Sequence, residues 1–182
     1  MASETYQYDV KIPKERIAVL IGKNGQEKRD IEKLLSIKIE IDSHEGDVEV
    51  SGTDPITLYT ARDVIRAIAR GFNPEIAKLL VKQDYALDVI SIIHFAKTKN
   101  DEIRLKGRVI GDEGKSRRVI EDLTETNISV YGKTIAIVGR IDHVPNARKA
   151  IELLLNGSPH SNVYHWLEKR RKVLARQNID QF

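Results

Sequence analysis

The sequence predicts an α+β protein built from one small unit used twice in tandem, each copy reading strand–helix–turn–helix–strand–strand–helix. Three observations carry that expectation. A Gly-x-x-Gly turn, Ile21-Gly22-Lys23-Asn24-Gly25, lies between an apolar run and a charged helical pattern. The turn recurs at Ile110-Gly111-Asp112-Glu113-Gly114 with similar neighbours. The flanks keep register: Ile21, Gly22, Gly25, Ile31, Glu32, Leu34 and Ile39 match Ile110, Gly111, Gly114, Ile120, Glu121, Leu123 and Ile128 at one constant offset. A chance pair of glycine turns would not bring a helix and a hairpin with it, so the chain contains an internal duplication.

Taken in order, residues 6–12 alternate apolar and polar side chains, the mark of a half-buried strand. Pro13 ends it, and residues 14–20 form a short amphipathic helix running into the first glycine turn. Beyond Gly25, Ile31, Leu34 and Leu35 recur at helical spacing and are expected to face inward. The period then changes to two, giving strands at 37–41 and 48–50 joined as a hairpin through 43–46. Asp54-Pro55 is a helix start, with Leu58, Ala61, Val64, Ile65, Ile68 and Ala69 as its buried stripe and Gly71 as its stop. Asn73-Pro74 opens a connector helix. The order begins again with a strand around 85–89, although 89–95 also fits a helix, then a polar loop at 96–101, a lead-in at 103–110 and a helix at 115–124. Strands at 128–130 and 135–138 flank a Gly132-Lys133 turn, and a last helix is expected to be capped by Asp142 and to end at Gly157. The domain boundaries read from this order are 5–71, a linker helix at 72–83, 84–157, and a basic C-terminal helix and tail at 158–182.

With 31% charged and 41% hydrophobic residues in 182, the composition is that of a globular protein rich in ion pairs. The balance of 30 Lys+Arg against 27 Asp+Glu is only mildly basic, so a nucleic-acid partner is permitted rather than demanded. No cysteine excludes a disulfide framework. No apolar run is long enough to span a bilayer, and the first residues lack the basic-then-apolar pattern of a signal peptide, which makes a cytoplasmic protein without a membrane partner the expectation.

The chemistry sits at the turns. Two glycines bracketing two polar residues leave a backbone bare enough for another backbone to approach. The following helix points its unpaired N–H groups and positive dipole end at that corner, which suits a phosphate chain. In the first copy Lys23 and Asn24 offer a charge and amide donors, with Lys28 and Arg29 on the helix beyond; Val19, Leu20, Ile21 and Ile39 are divided between groove wall and core. In the second copy Asp112 and Glu113 are repulsive to phosphate, while Arg108, Lys115, Arg117 and Arg118 surround the turn. Both copies are candidates: Ile21, Gly22, Lys23, Asn24, Gly25, Lys28 and Arg29 in one, and Arg108, Ile110, Gly111, Asp112, Glu113, Gly114, Lys115, Arg117 and Arg118 in the other.

At these residues the sequence resembles the K-homology (KH) domain, twice, in the eukaryotic-type (type I) order with the glycine turn between the first two helices. The resemblance implies, for each copy, a three-stranded antiparallel sheet packed on three helices, and a cleft that clamps about four nucleotides of single-stranded RNA or DNA. The Asn73-Pro74 linker and the ending from Gly157 through Tyr164 into a basic helix are similar, more specifically, to the archaeal form of the Partner-of-Nob ribosome-assembly proteins, relatives of the Krr-type pre-ribosomal factors. That family implies an adaptor in rRNA maturation that binds small-subunit (16S-type) rRNA near its 3′ end. It also implies contact with the Nob endonuclease and the alpha subunit of initiation factor two. In eukaryotic relatives the second domain keeps the RNA-binding loop, whereas loop charge here favours the first.

No catalytic constellation, metal site or cofactor is expected. The five histidines show no ligand spacing, no Gly-Lys-Ser/Thr follows a longer glycine loop, and Glu32 and Glu121 repeat at matched helix positions, which argues for capping or ion pairing. The basic run at 169–172 reads equally as a solvated helix face or as a phosphate or partner contact. The alternative function is a general single-stranded RNA adaptor in translation or RNA decay, with the Asp112-Glu113 copy as a protein-docking surface.

Overall fold

A computed structural model describes residues 5–179, with side chains to 175. The chain divides into two compact units between Gln83 and Asp84. In the first, strand β1 (Tyr6–Lys11) is followed by helices α1 (Lys14–Ile21) and α2 (Gln26–Leu35), strands β2 (Lys38–Asp42) and β3 (Asp47–Gly52), and helix α3 (Pro55–Ala69). One turn of helix, α4 (Pro74–Ala77), and a 3-10 turn (Lys78–Val81) close the unit by packing back on α3. The second unit repeats the plan as β4 (Tyr85–Ser91), α5 (Lys99–Ile110), α6 (Lys115–Thr124), β5 (Thr126–Tyr131), β6 (Thr134–Arg140) and α7 (Val144–Leu155), and adds α8 (His160–Ile179).

Each unit has a three-stranded antiparallel sheet whose last strand lies in the middle, in the orders β1-β3-β2 and β4-β6-β5. Tyr8 pairs with Val50 and Ile39 with the same Val50; Leu87 and Asn127 both pair with Val138. The central strands therefore bury most: Val48 and Val50 in one unit, and Ile135, Ala136, Ile137 and Val138 in the other, have no accessible surface. The α3 stripe read from the sequence is buried throughout, and Asp54 caps that helix by accepting from the Ile56 and Thr57 N–H groups.

Three expectations need correction. Leu34 is 52% exposed, because Ile31 and Leu35 already fill the inward arc of α2. The polar loop is shorter than 96–101, since Thr98 accepts from the Asp101 N–H and starts α5 at Lys99. Asp142 does not cap α7; His143 holds the cap position without a side-chain bond, and the Asp142 carboxylate accepts from Arg140 Nε at 3.2 Å. The C-terminal helix is anchored by Val163 and Leu167, both buried against the second core, with Tyr164 and Trp166 half-buried beside them.

The repeated glutamates join helix to strand. Ile39 N–H donates to Glu32 Oε1 at 2.8 Å, and Ile128 N–H donates to Glu121 Oε1 at 2.7 Å. Burial pushes the Glu121 carboxyl above the ordinary glutamate range, against the Ile128 N–H and Arg117, which pull it down. A raised carboxyl favours the folded state most below its unfolded value and loses that advantage as pH rises through the folded one. Glu121→Gln, whose amide oxygen still accepts from Ile128 without a charge, is therefore expected to be neutral or stabilising at pH 7. Glu121→Ala strands the N–H and is expected to lose about 1–3 kcal/mol. Urea unfolding followed by Trp166 fluorescence distinguishes the two, and equal losses would remove the acceptor role.

Candidate nucleic-acid interface

Between α1 and α2 the chain turns through Gly22 (φ 71°, ψ 179°) and a single 3-10 turn over Lys23–Gly25. Between α5 and α6 it turns through Gly111 (φ 75°, ψ 177°) and Asp112–Gly114. Both first glycines occupy a corner of backbone space open essentially only to glycine. The hydrogen bonds coincide as well: the Gly25 and Gly114 N–H groups donate to the Gly22 and Gly111 carbonyls, each at 3.2 Å. The middle residues Asn24 (φ 53°) and Glu113 (φ 47°) are left-handed in both. One backbone shape is thus built twice under unlike side chains, and each time it ends at the N-terminus of a helix of ten residues.

The bracing behind the two turns differs. A Cβ on Gly22 would fall 2.5 Å from Glu27 Cγ, and Glu27 is held in place by Lys78 Nζ at 2.7 Å, so the first turn is tied to the segment after α3. Gly111 is backed instead by Ser116, whose buried hydroxyl has no hydrogen-bond partner among the described residues.

The site residues read from the sequence divide by environment. Lys23, Asn24, Asp112, Glu113, Lys115 and Arg118 are exposed at or beside the turns. Arg29 folds back over its loop, with Nη1 3.3 Å from where a Gly25 Cβ would be, and Arg118, its counterpart, donates from Nη2 to the Glu113 carbonyl at 2.8 Å. An arginine on the first turn of the helix therefore reaches the loop in both copies. Lys28 and Arg117 are also counterparts, and each lies along its helix toward the strand-bracing glutamate, at 3.6 Å from Glu32 and 3.7 Å from Glu121. Arg108 points the other way: Nε donates to the Leu154 carbonyl (3.0 Å) and Nη2 to that of Ser158 (2.7 Å), closing the C-terminal end of α7. Of the apolar residues, Leu20 and Ile39 are core with no accessible surface, while Ile21 is half-buried and Ile110 36% exposed.

A feature of α5 was missed. Ile103 (62% exposed), Gly107 and Ile110 stand at helical spacing on one exposed face that leads into the second turn. At the same offset the first copy has Lys14, Ala18 and Ile21. An apolar, glycine-opened stripe beside a helix N-terminus is a surface against which flat bases can lie. The spacing is legible in the sequence, but an exposed apolar stripe and a plain approach to the turn share the same local pattern. The second copy thus has the better apolar wall and the first the better loop charge. Among the described residues no group of His, Asp and Glu could hold a metal ion, and no helix is long and apolar enough to cross a membrane.

Comparison with known proteins matches this geometry to one family. A family model described as a eukaryotic-type KH domain (KH-domain type I), that of the second KH domain of PNO1, matches residues 86–172, and the general KH-domain model matches residues 7–67. The KH domain-containing protein MJ0443 of Methanocaldococcus jannaschii is 51% identical over 175 residues, which cover 94% of this chain and 77% of that protein. Among solved structures, the a/eIF2alpha-aDim2p-rRNA complex from Pyrococcus horikoshii OT3 contains a chain 44% identical, with a TM-score of 0.87 and coverage of 92% of this chain and 95% of the other. Dim2p from the same organism, solved separately, is also 44% identical, with a TM-score of 0.85 over 90% of this chain and 99% of that one.

Proposed function

The chain belongs to the tandem type I KH-domain family of Dim2p and PNO1, and from that premise we propose that it is an RNA-binding factor of small-subunit ribosome assembly. The observation that carries the proposal is the pair of glycine-only turns, each presenting an uncluttered backbone and a helix N-terminus to a phosphate chain. The likeness to a Dim2p solved together with rRNA supports ribosomal RNA as the ligand.

The finer reading is that the protein grips single-stranded rRNA near the 3′ end of the small-subunit RNA and acts in the cytoplasm as an adaptor without catalytic activity of its own. Its protein partners are then the alpha subunit of initiation factor two, for which the same complex gives support, and the Nob endonuclease. The apolar stripe of Ile103, Gly107 and Ile110 favours base contacts in the second copy, and the exposed Lys23 favours backbone contacts in the first.

Filter binding with an oligonucleotide of the rRNA 3′ end, competed by unrelated single strands, tests the reading. The expected result is that unrelated competitors displace the labelled strand at least tenfold less well, with affinity falling steadily as salt rises. Equal competition would instead support the general RNA adaptor. Clean cleavage of labelled precursor RNA by the purified protein with magnesium would overturn the adaptor reading.

A further inference from the structure

The first unit carries a second cationic face away from its glycine turn. A cavity of about 590 Å³ runs beside β1, lined by the consecutive residues 8–13, by Arg62 and Arg66 of α3, and by Arg70 at the C-cap of that helix. β1 is the edge of its sheet, with β3 as its one neighbouring strand. The cavity reaches α1 at Pro13, whereas the turn begins at Gly22, at the opposite end of that helix. The cations stand four residues apart along α3 and its C-cap, one above another. Arg62 is held between two tyrosines, 3.8 Å from the Tyr59 ring centre and 5.3 Å from that of Tyr8, and Nη1 donates to the Tyr8 hydroxyl at 3.0 Å. Tyr8, Tyr59 and, one turn earlier on α3, Ile56 (78% exposed) remain open at the surface.

The duplication supplies an internal control. Ile12 N–H donates to the Gly46 carbonyl as Ile92 N–H donates to that of Lys133, and Gly71 and Gly157 follow α3 and α7 with φ of 100° and 95°. Tyr8 stands to Ile12 as Asp88 stands to Ile92, and Arg62 stands to Gly71 as Arg148 stands to Gly157. In the second unit this position is an internal ion pair: Arg148 Nη1 donates to both Asp88 carboxylate oxygens at 2.7 and 2.8 Å, and Nε donates to Glu152 at 2.9 Å. The counterparts of Arg66, Arg70 and Lys11 there are Glu152, Asn156 and Ser91. In the first unit one carboxylate, Asp63, is shared between Arg62 (3.1 Å) and Arg66 (3.4 Å), and Lys11 lies 3.3 Å from Asp47. The edge is therefore balanced in one copy, whereas in the other it is tyrosine-rich and keeps a cationic excess, with two arginines on one carboxylate.

We propose that the groove between β1 and α3 takes an extended, acidic segment of a partner protein, added along β1 as a fourth strand with its carboxylates toward Arg66 and Arg70. Three features favour a polypeptide. An edge strand offers main-chain groups along its whole length, which is how strand addition gains affinity. Tyrosine, isoleucine and arginine are side chains of protein interfaces, with tyrosine and arginine the frequent energetic anchors. The facing surfaces of Tyr8 and Tyr59 are taken by Arg62, which leaves less ring area for stacked bases. In an added strand alternate side chains point to one face, so the fitting sequence alternates acidic and apolar residues.

The test titrates the isotope-labelled full chain with a synthetic peptide of about ten residues alternating glutamate and valine, and with a lysine–valine peptide as control. The expected result is movement of backbone amide signals in 7–12 and 62–70, slowed hydrogen exchange along β1, and no such response to the lysine peptide. Arg66→Glu and Arg66→Gln, both at a half-exposed position, are expected to weaken glutamate-peptide binding tenfold or more and severalfold respectively, while rRNA affinity stays within twofold. The proposal is overturned by equal binding of the two peptides, by signals that move only at the glycine turns, or by a tenfold loss of rRNA affinity in Arg66→Glu, which would assign the face to RNA. A concentration-dependent dimer abolished by Arg66→Glu would also overturn it, by assigning the face to a second copy. Failure of the RNA reading looks different, since the parent chain would then bind the glutamate peptide and not the oligonucleotide.

Discussion

Replacing Lys23 and Asn24 together by Asp is expected to lower the affinity for an rRNA 3′-end oligonucleotide by tenfold or more. Both side chains are exposed in the 3-10 turn between Gly22 and Gly25, so the substitution alters the loop without touching the core. It removes one cation and adds two anions where the helix N-terminus would otherwise meet phosphate. Tenfold corresponds to about 1.4 kcal/mol, within reach of a single charge-assisted hydrogen bond lost and a repulsion gained. The loss should be greatest at low ionic strength, and the dependence of affinity on salt should become shallower, because fewer counterions are released on binding. The converse change, Asp112→Lys with Glu113→Asn, should raise affinity, and Asn at that left-handed position is also the better fit to the backbone (φ 47° for Glu113). Unchanged affinity in the Lys23/Asn24 variant, measured by filter binding at fixed salt, would assign the grip to the second turn alone.

The duplication was readable because register survives where backbone shape is demanded. Gly22 and Gly111, Glu32 and Glu121, and Ile39 and Ile128 repeat because a glycine-only corner, a carboxylate bracing the next strand and a buried strand residue are each needed once per unit. What periodicity could not show was the use made of a side chain with several possible partners. Arg108 looked like a groove cation beside its turn, yet its guanidinium meets the carbonyls at the end of α7, more than forty residues away in the chain. Leu34 fits the helical spacing and yet lies outside the core, since apolarity marks a preference for burial and not a place in the core. The loop before α5 was overestimated because Lys, Asn and Asp are as common in a first helical turn as in a loop, and only the Thr98 cap separates the two. The cationic edge along β1 was beyond reach, since it depends on residues 8–13 lying beside Arg62, Arg66 and Arg70, a contact across the sheet edge that no local pattern encodes.

Gly111→Ala should destabilise the second unit far more than Gly114→Ala, although both glycines belong to one turn and both have positive φ. Gly111, at φ 75° and ψ 177°, lies where a side chain is essentially excluded, and its Cβ would meet the Ser116 backbone nitrogen and Cβ at 2.6 Å. Neither atom can swing aside, because both belong to the opening turn of α6. Gly114, at φ 78° and ψ 12°, is in the ordinary left-handed region, and its Cβ would meet nothing within 4 Å. The left-handed region costs an alanine about 1–2 kcal/mol, whereas the Gly111 corner is expected to cost about 3 kcal/mol or more once the contact with Ser116 is added. Trp166, the single tryptophan, is half-buried against the second core and reports on that unit. Urea denaturation followed through its fluorescence should place the Gly111→Ala midpoint well below that of Gly114→Ala at an unchanged slope. RNA affinity should follow the same order, since the corner that admits no Cβ is also the one a sugar–phosphate backbone would approach. Equal midpoints would show that the turn can relax around a side chain at its first glycine, and the requirement for glycine there would then have to come from the bound RNA.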